Sequence, residues 1–146
     1  MIVTFPEPTN PDFKKLFMSI ADKIGGIAKY SKKLENTKVV VCSLNPSISS
    51  SGNKLLTSGN TINMKDLMRY KATHLMIFPE SFFLQLSNST KEDIERCTIT
   101  IVHEICHVIL DHSTDTDKPM PRQIRDNIER EANKLEKTIL EEITGK

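Results

Sequence analysis

Residues 94–112 read IERCTITIVHEICHVILDH. Ile99, Ile101, Val102, Ile105, Cys106, Val108, Ile109 and Leu110 clothe nearly the whole circumference of a helix written through this stretch, which predicts a helix buried in the fold rather than laid on its surface. The polar side chains fall on one narrow stripe. With successive residues about 100° apart and His103 at zero, His107 falls at about 40°, Asp111 at about 80° and Glu104 at about 100°. Four ionisable groups buried together are costly unless something charged pairs with them, and a divalent cation is the simplest candidate.

The centre of the stretch, His103-Glu104-Ile105-Cys106-His107, is HExxH. Histidines at i and i+4 share a face one turn apart, so both imidazoles reach a single Zn²⁺, and Glu104 is set to the side where a metal-bound water would sit. This is the arrangement of a metalloprotease-type site. Roughly one chain in a few hundred of this length contains the pattern by chance, so the surroundings have to carry the assignment. The bland alternative is a histidine pair satisfied by hydrogen bonds at a helix end, and the single polar stripe on an otherwise apolar cylinder argues against it.

Just before this stretch, Ser89 with Glu92 three positions later has the form of a capping box and predicts the start of this helix, with its end near His112. The polar stretch STDTDKP, residues 113–119, breaks the chain. A second helix is predicted from Pro121, well suited to a first helical position, with Ile124, Ile128, Ala132, Leu135 and Ile139 on one stripe. A catalytic zinc keeps three protein ligands and an open position, so a third ligand is needed. The extended form HExxHxxGxxH is excluded because Leu110 and Ser113 stand where Gly and His are required. The third ligand is therefore expected from the second helix. Glu129 and Asn133 are four apart and share a face, Glu131 flanks the apolar stripe on its other side, and angular position does not choose between the glutamates. Asp111 is a third candidate, with a helix-end or supporting role as its alternative. His112 at the helix end, and His74 and Tyr70 upstream, are weaker candidates for contacts to a substrate.

Upstream, Phe13, Leu16, Phe17, Ile20, Ile24 and Ile27 recur at spacings of three and four, predicting a helix over residues 12–28 that Gly25 and Gly26 fray or end. Residues 37–44, TKVVVCSL, read as a buried strand stopped by Asn45-Pro46. Residues 47–63 read as turns with a short strand or hairpin and as the most mobile segment. Residues 73–78, THLMIF, form a second buried strand. Because it directly precedes the HExxH helix, its edge is one candidate for pairing with a substrate backbone, an ordinary core strand being the other. No internal repeat is visible.

Length and composition bound the rest. A chain of 146 residues is one domain, and at that size about 68–70% of the unfolded surface is buried on folding, so no metal is needed merely to hold a core. Hydrophobic residues make up 38% and charged residues 27%, and no apolar run approaches the roughly 18 residues that span a bilayer. A formal charge of +1 argues against gripping nucleic-acid phosphates. That charge is split: residues 1–89 hold 11 Lys/Arg against 6 Asp/Glu, residues 90–146 hold 9 against 13. The N-terminal part carries Lys14, Lys15, Lys23, Lys29, Lys32, Lys33 and Lys38 spread over helix and loop, the pattern of a solvated face. The start of the chain has no basic segment followed by an apolar one, and Cys42, Cys97 and Cys106 are an odd number without a CxxC pair, so reduced thiols in a cytoplasmic protein are expected.

HExxH on one helix, followed about 20 residues later by Glu129-Arg130-Glu131-Ala132-Asn133, an ExxAN, on the next, resembles the ImmA/IrrE family of zinc metallopeptidases, compact members of the gluzincin group. The match covers roughly residues 95–140. The resemblance implies His103 and His107 as zinc ligands, Glu104 as the catalytic glutamate, Glu129 as third ligand and Asn133 as the Asn of the motif. The family's HELGH stands here as HEICH, and Lys134, Leu135 and Glu136 occupy positions where the family favours a small, aromatic-containing run.

The expected fold is a single α+β, zincin-like domain over residues 1–146, with an N-terminal helix and small sheet in residues 1–89 and the metal-site helices in residues 90–146. The expected function is zinc-dependent peptide-bond hydrolysis, with a narrow protein substrate such as a transcriptional repressor implied by the resemblance. The alternative is a non-catalytic zincin-like regulatory protein whose metal is structural or absent.

Overall fold

Asn10-Pro11-Asp12 starts the first helix of the computed structural model, which describes residues 1–5, 10–44, 60–62, 74–79, 90–110 and 121–145. Asn10 Oδ1 accepts from the backbone N–H of Asp12 at 2.8 Å and of Phe13 at 3.4 Å, and Pro11 occupies a first-turn position that needs no N–H. The helix, α1, runs Pro11–Gly25. The glycines end it as expected, but the chain turns straight into a further helix, α2 (Ala28–Leu34), which the apolar spacing had not separated from the first. Ile27 lies between the two and packs, half-buried, against the core.

Four strands form one sheet in the order β1-β2-β4-β3, with β1 Ile2–Thr4, β2 Lys38–Leu44, β3 Asn60–Ile62 and β4 His74–Pro79. β1 pairs parallel with β2 and β2 parallel with β4, while β3 runs antiparallel to β4. Val39, Val40 and Val41 are buried in succession, so both faces of β2 are covered, as parallel strands require. Of the two readings of residues 73–78, the core strand holds and the substrate-pairing edge is overturned: β4 is an interior strand, bonded to β2 on one side and β3 on the other. Its backbone groups are committed to the sheet. Of the Ser/Asn/Gly-rich residues 47–63, only β3 falls within the described residues, and it is a strand.

The chain has six Phe, and four of them pin α1 to the sheet. Phe13 and Phe17 meet Phe78 of β4 edge-on at 5.4 and 6.3 Å between ring centres, and Phe5 meets Phe17 at 5.8 Å. Each buried Phe contributes about 1.5–3 kcal/mol of burial and each such pair about 0.5–1.5 kcal/mol more.

The two C-terminal helices are α3 (Lys91–Ile109) and α4 (Arg122–Thr144). The capping box exists one residue later than the Ser89/Glu92 reading. Thr90 accepts from Asp93 N–H at 3.2 Å, and Asp93 Oδ2 accepts from Thr90 N–H at 3.3 Å. Pro121 is the cap of α4 rather than its first helical residue, and Gly145, at φ 73°, closes the other end in the left-handed conformation that glycine adopts without penalty. α3 packs on α1, α2 and α4 and lies against β3. Its half from Ile101 onward is buried nearly all round, but Ile99 is 44% exposed while Cys97, on the opposite face, is buried, so the N-terminal half hides one face only. The architecture is α+β, four helices and a small mixed sheet among the described residues. None of these helices is long and apolar enough to cross a membrane.

Candidate metal centre

α3 carries His103 and His107 one turn apart, and their rings meet edge to face with centres 4.7 Å apart and Nε2 atoms 3.1 Å apart. α4 brings Glu129 to both. Its Oε2 lies 3.1 Å from His103 Nε2 and its Oε1 lies 3.2 Å from His107 Nε2. One ligand atom from each of the three residues lies within 4.8 Å of the others, a group that could hold a metal ion. His107 is buried and His103 nearly so, whereas the Glu129 side chain is 50% exposed, so the group is walled by α3 and open at α4.

The donor set fits a divalent cation on two counts. Two ligand atoms each about 2.0–2.1 Å from a tetrahedral centre lie about 3.3 Å apart, close to the 3.1–3.2 Å separations here. The second count is protons. His103 faces a carboxylate at each ring nitrogen, Glu129 at Nε2 and Glu136 at Nδ1, the latter also at 3.1 Å. Carboxylates only accept and a neutral imidazole has a single N–H, so neutral His103 cannot donate to both, and a cation shared with Glu129 and His107 would suit the Nε2 side.

Among the candidates from sequence, His103, His107 and Glu129 come together. Glu131 is exposed and not part of the group, and Asn133 is exposed as well. Asp111, His112 and Tyr70 lie outside the described residues. Glu104 is buried on α3, 3% exposed. His74 is buried on the core face of β4, opposite Val39, away from the role considered for it. Cys97 and Cys106 are buried free thiols, both pushed up to about 12: Cys97 by burial, Cys106 by burial first and then by the carboxylates of Glu136 and Glu104. Held as neutral thiols, they fill the core as expected and are poor ligands.

Glu136 was not among the residues singled out from sequence. The signal was present, since Glu136 is seven residues after Glu129 and a seven-residue step returns to the same helix face after two turns. No model of a known protein family, no curated protein and no solved structure matches this chain.

Proposed function

We propose that this protein is a zinc-dependent metallopeptidase with a zincin-like arrangement akin to the ImmA/IrrE family, acting in the cytoplasm on a narrow protein substrate such as a transcriptional repressor. The observation that carries the reading is the convergence of His103, His107 and Glu129 on one point with ligand-like spacing. Three protein ligands with an open side are the pattern of a catalytic rather than a structural zinc. A chain of this size needs no metal to fold, which favours the same reading.

His103, His107 and Glu129 would hold the ion. Zn²⁺ held there would supply Lewis acidity toward a scissile carbonyl and activation of a water nucleophile. Glu104 adjoins the first ligand in the chain and sits about 100° round the helix from it. It receives the proton of the attacking water and delivers it to the leaving amine. Glu104 does this from a buried position, where bulk water does not compete for the proton. The substrate backbone is accommodated by β3, which pairs only with β4 among the described residues and lies against α3.

Metal content by mass spectrometry and peptide hydrolysis test this together. The wild-type chain is expected to carry one zinc. Glu104→Gln keeps the zinc and loses hydrolysis by several orders of magnitude, and His107→Ala loses the zinc. Cleavage by Glu104→Gln at the wild-type rate would remove Glu104 as the base, and undiminished zinc in His107→Ala would sink the site. A zinc closed by four protein ligands would instead favour the non-catalytic regulatory protein.

A further inference from the structure

We infer that Glu136 is a positioning residue for His103, fixing which ring nitrogen faces the metal; the inference rests on the zinc-site reading above. A single helix grips this imidazole at both ends. Glu129 and Glu136, two turns apart on α4, reach across to α3, the first to Nε2 and the second to Nδ1, each at 3.1 Å. Because the Glu136 carboxylate accepts only, the hydrogen facing it belongs to Nδ1, and neutral His103 then presents Nε2 as a bare lone pair. Nε2 is the atom that meets His107 Nε2 and Glu129. A free imidazole exchanges between two tautomers and spins about its χ angles. Glu136 selects the tautomer that leaves Nε2 open to a cation, holds the ring in plane and raises its basicity as a ligand.

Burial makes the contact effective. The side chains of His103 and Glu136 are 17% and 20% exposed, so water competes weakly for either partner. The contact also spans 33 residues of chain, and Ala132 and Ile139, buried on either side of Glu136 in sequence, hold α4 in the core. Glu136 therefore links the docking of α4 to the ligand geometry of α3, a connection Glu129 alone would leave resting on a half-exposed side chain.

Two readouts on the full-length chain decide the matter. The first is the zinc dissociation constant, measured by competition with a chromogenic chelator. Glu136→Ala weakens zinc binding about 10- to 100-fold. Glu136→Gln, isosteric and able to accept from Nδ1 but uncharged, loses less, and Glu136→Asp recovers part of the loss. Circular dichroism of each variant checks that the helices are intact, and the isosteric Gln variant keeps the comparison usable if Ala disturbs packing. The second is the ring ¹⁵N and ¹H spectrum of His103 in zinc-free protein, where a slowly exchanging Nδ1–H is expected in the wild type and lost in Glu136→Ala. If zinc binds and Glu136→Ala holds it as tightly as the wild type, the inference fails and the metal site stands. If the wild type binds no zinc, the metal reading fails, and the Nδ1–H signal still decides whether Glu136 orients His103. An unprotonated Nδ1 in the wild type overturns the inference whatever the metal does.

Discussion

α3 and α4 both supply the metal group, yet they are built oppositely. From Ile101 to Ile109 nearly every α3 side chain is buried, His107 and Glu104 included, whereas α4 buries only Ala132 and Ile139 of its 23 residues. The histidines therefore ride on a helix that cannot shift without opening the core. The glutamates ride on a helix held along one thin stripe, and that stripe runs past the core at its start, where Ile124 is 50% exposed. The His103–His107 geometry is a property of the core, and the arrival of Glu129 is a property of helix docking.

The contrast is broken most severely from the α3 side. Ile101→Ala leaves a cavity beneath a fully buried position and costs about 2–5 kcal/mol, while Ile124→Ala stays within about 0.5 kcal/mol. Urea titration of the two variants checks this, and equal losses would mean that α4 is anchored as deeply as α3. A smaller effect, on docking alone, comes from Ala132→Leu. Ala132 is fully buried between Glu129 and Glu136, where its small side chain lets the helices approach closely. Overpacking there costs about 1–3 kcal/mol and moves both glutamates away from His103, so zinc affinity falls together with stability. Unchanged affinity in a destabilised variant would show that the glutamates follow the histidines rather than the helix.

The smallest effect probes the α3 interior by titration. The thiols of Cys97 and Cys106, ordinarily near 9.0, are raised to about 12 in the fold, so the unfolded chain loses its thiol protons first as pH rises. Their contribution to stability is whole below pH 9.0 and is lost as pH climbs toward about 12. The loss is on the order of 1 kcal/mol per thiol one pH unit above the unfolded value. Denaturation of zinc-free protein at pH 8 and pH 10 measures the slope, and Cys97→Ala is expected to flatten it.

Much of this was legible in the residues, for local reasons. The paired glycines after Ile24, the β-branched run of β2 and the period of α3 and α4 each act within a few residues, and these elements start within about two residues of those signals, although α3 ends at Ile109, three residues before His112. Ser89 and Thr90 are adjacent hydroxyl residues with acidic partners three positions on, and only the folded backbone chooses Thr90 with Asp93. α2 was hidden because Ile27 continues the apolar spacing of α1 through the turn. Whether β4 lies at an edge or in the interior was left open by the residues because strand order depends on β3, whose three residues carry little pattern of their own.

The sequence by itself determined that His103 and His107 share a face, because a four-residue step on a helix settles it, and that Glu104 sits beside them on a greasy helix needing burial. It left open which acidic residues would meet them. The rotation of α4 about its axis is set by Ala132 and Ile139 packing inward, and that rotation brings Glu129 and Glu136 to opposite ends of one imidazole and turns Glu131 to solvent. Spacing along one helix says how its side chains stand relative to each other, and only packing between helices says what they face.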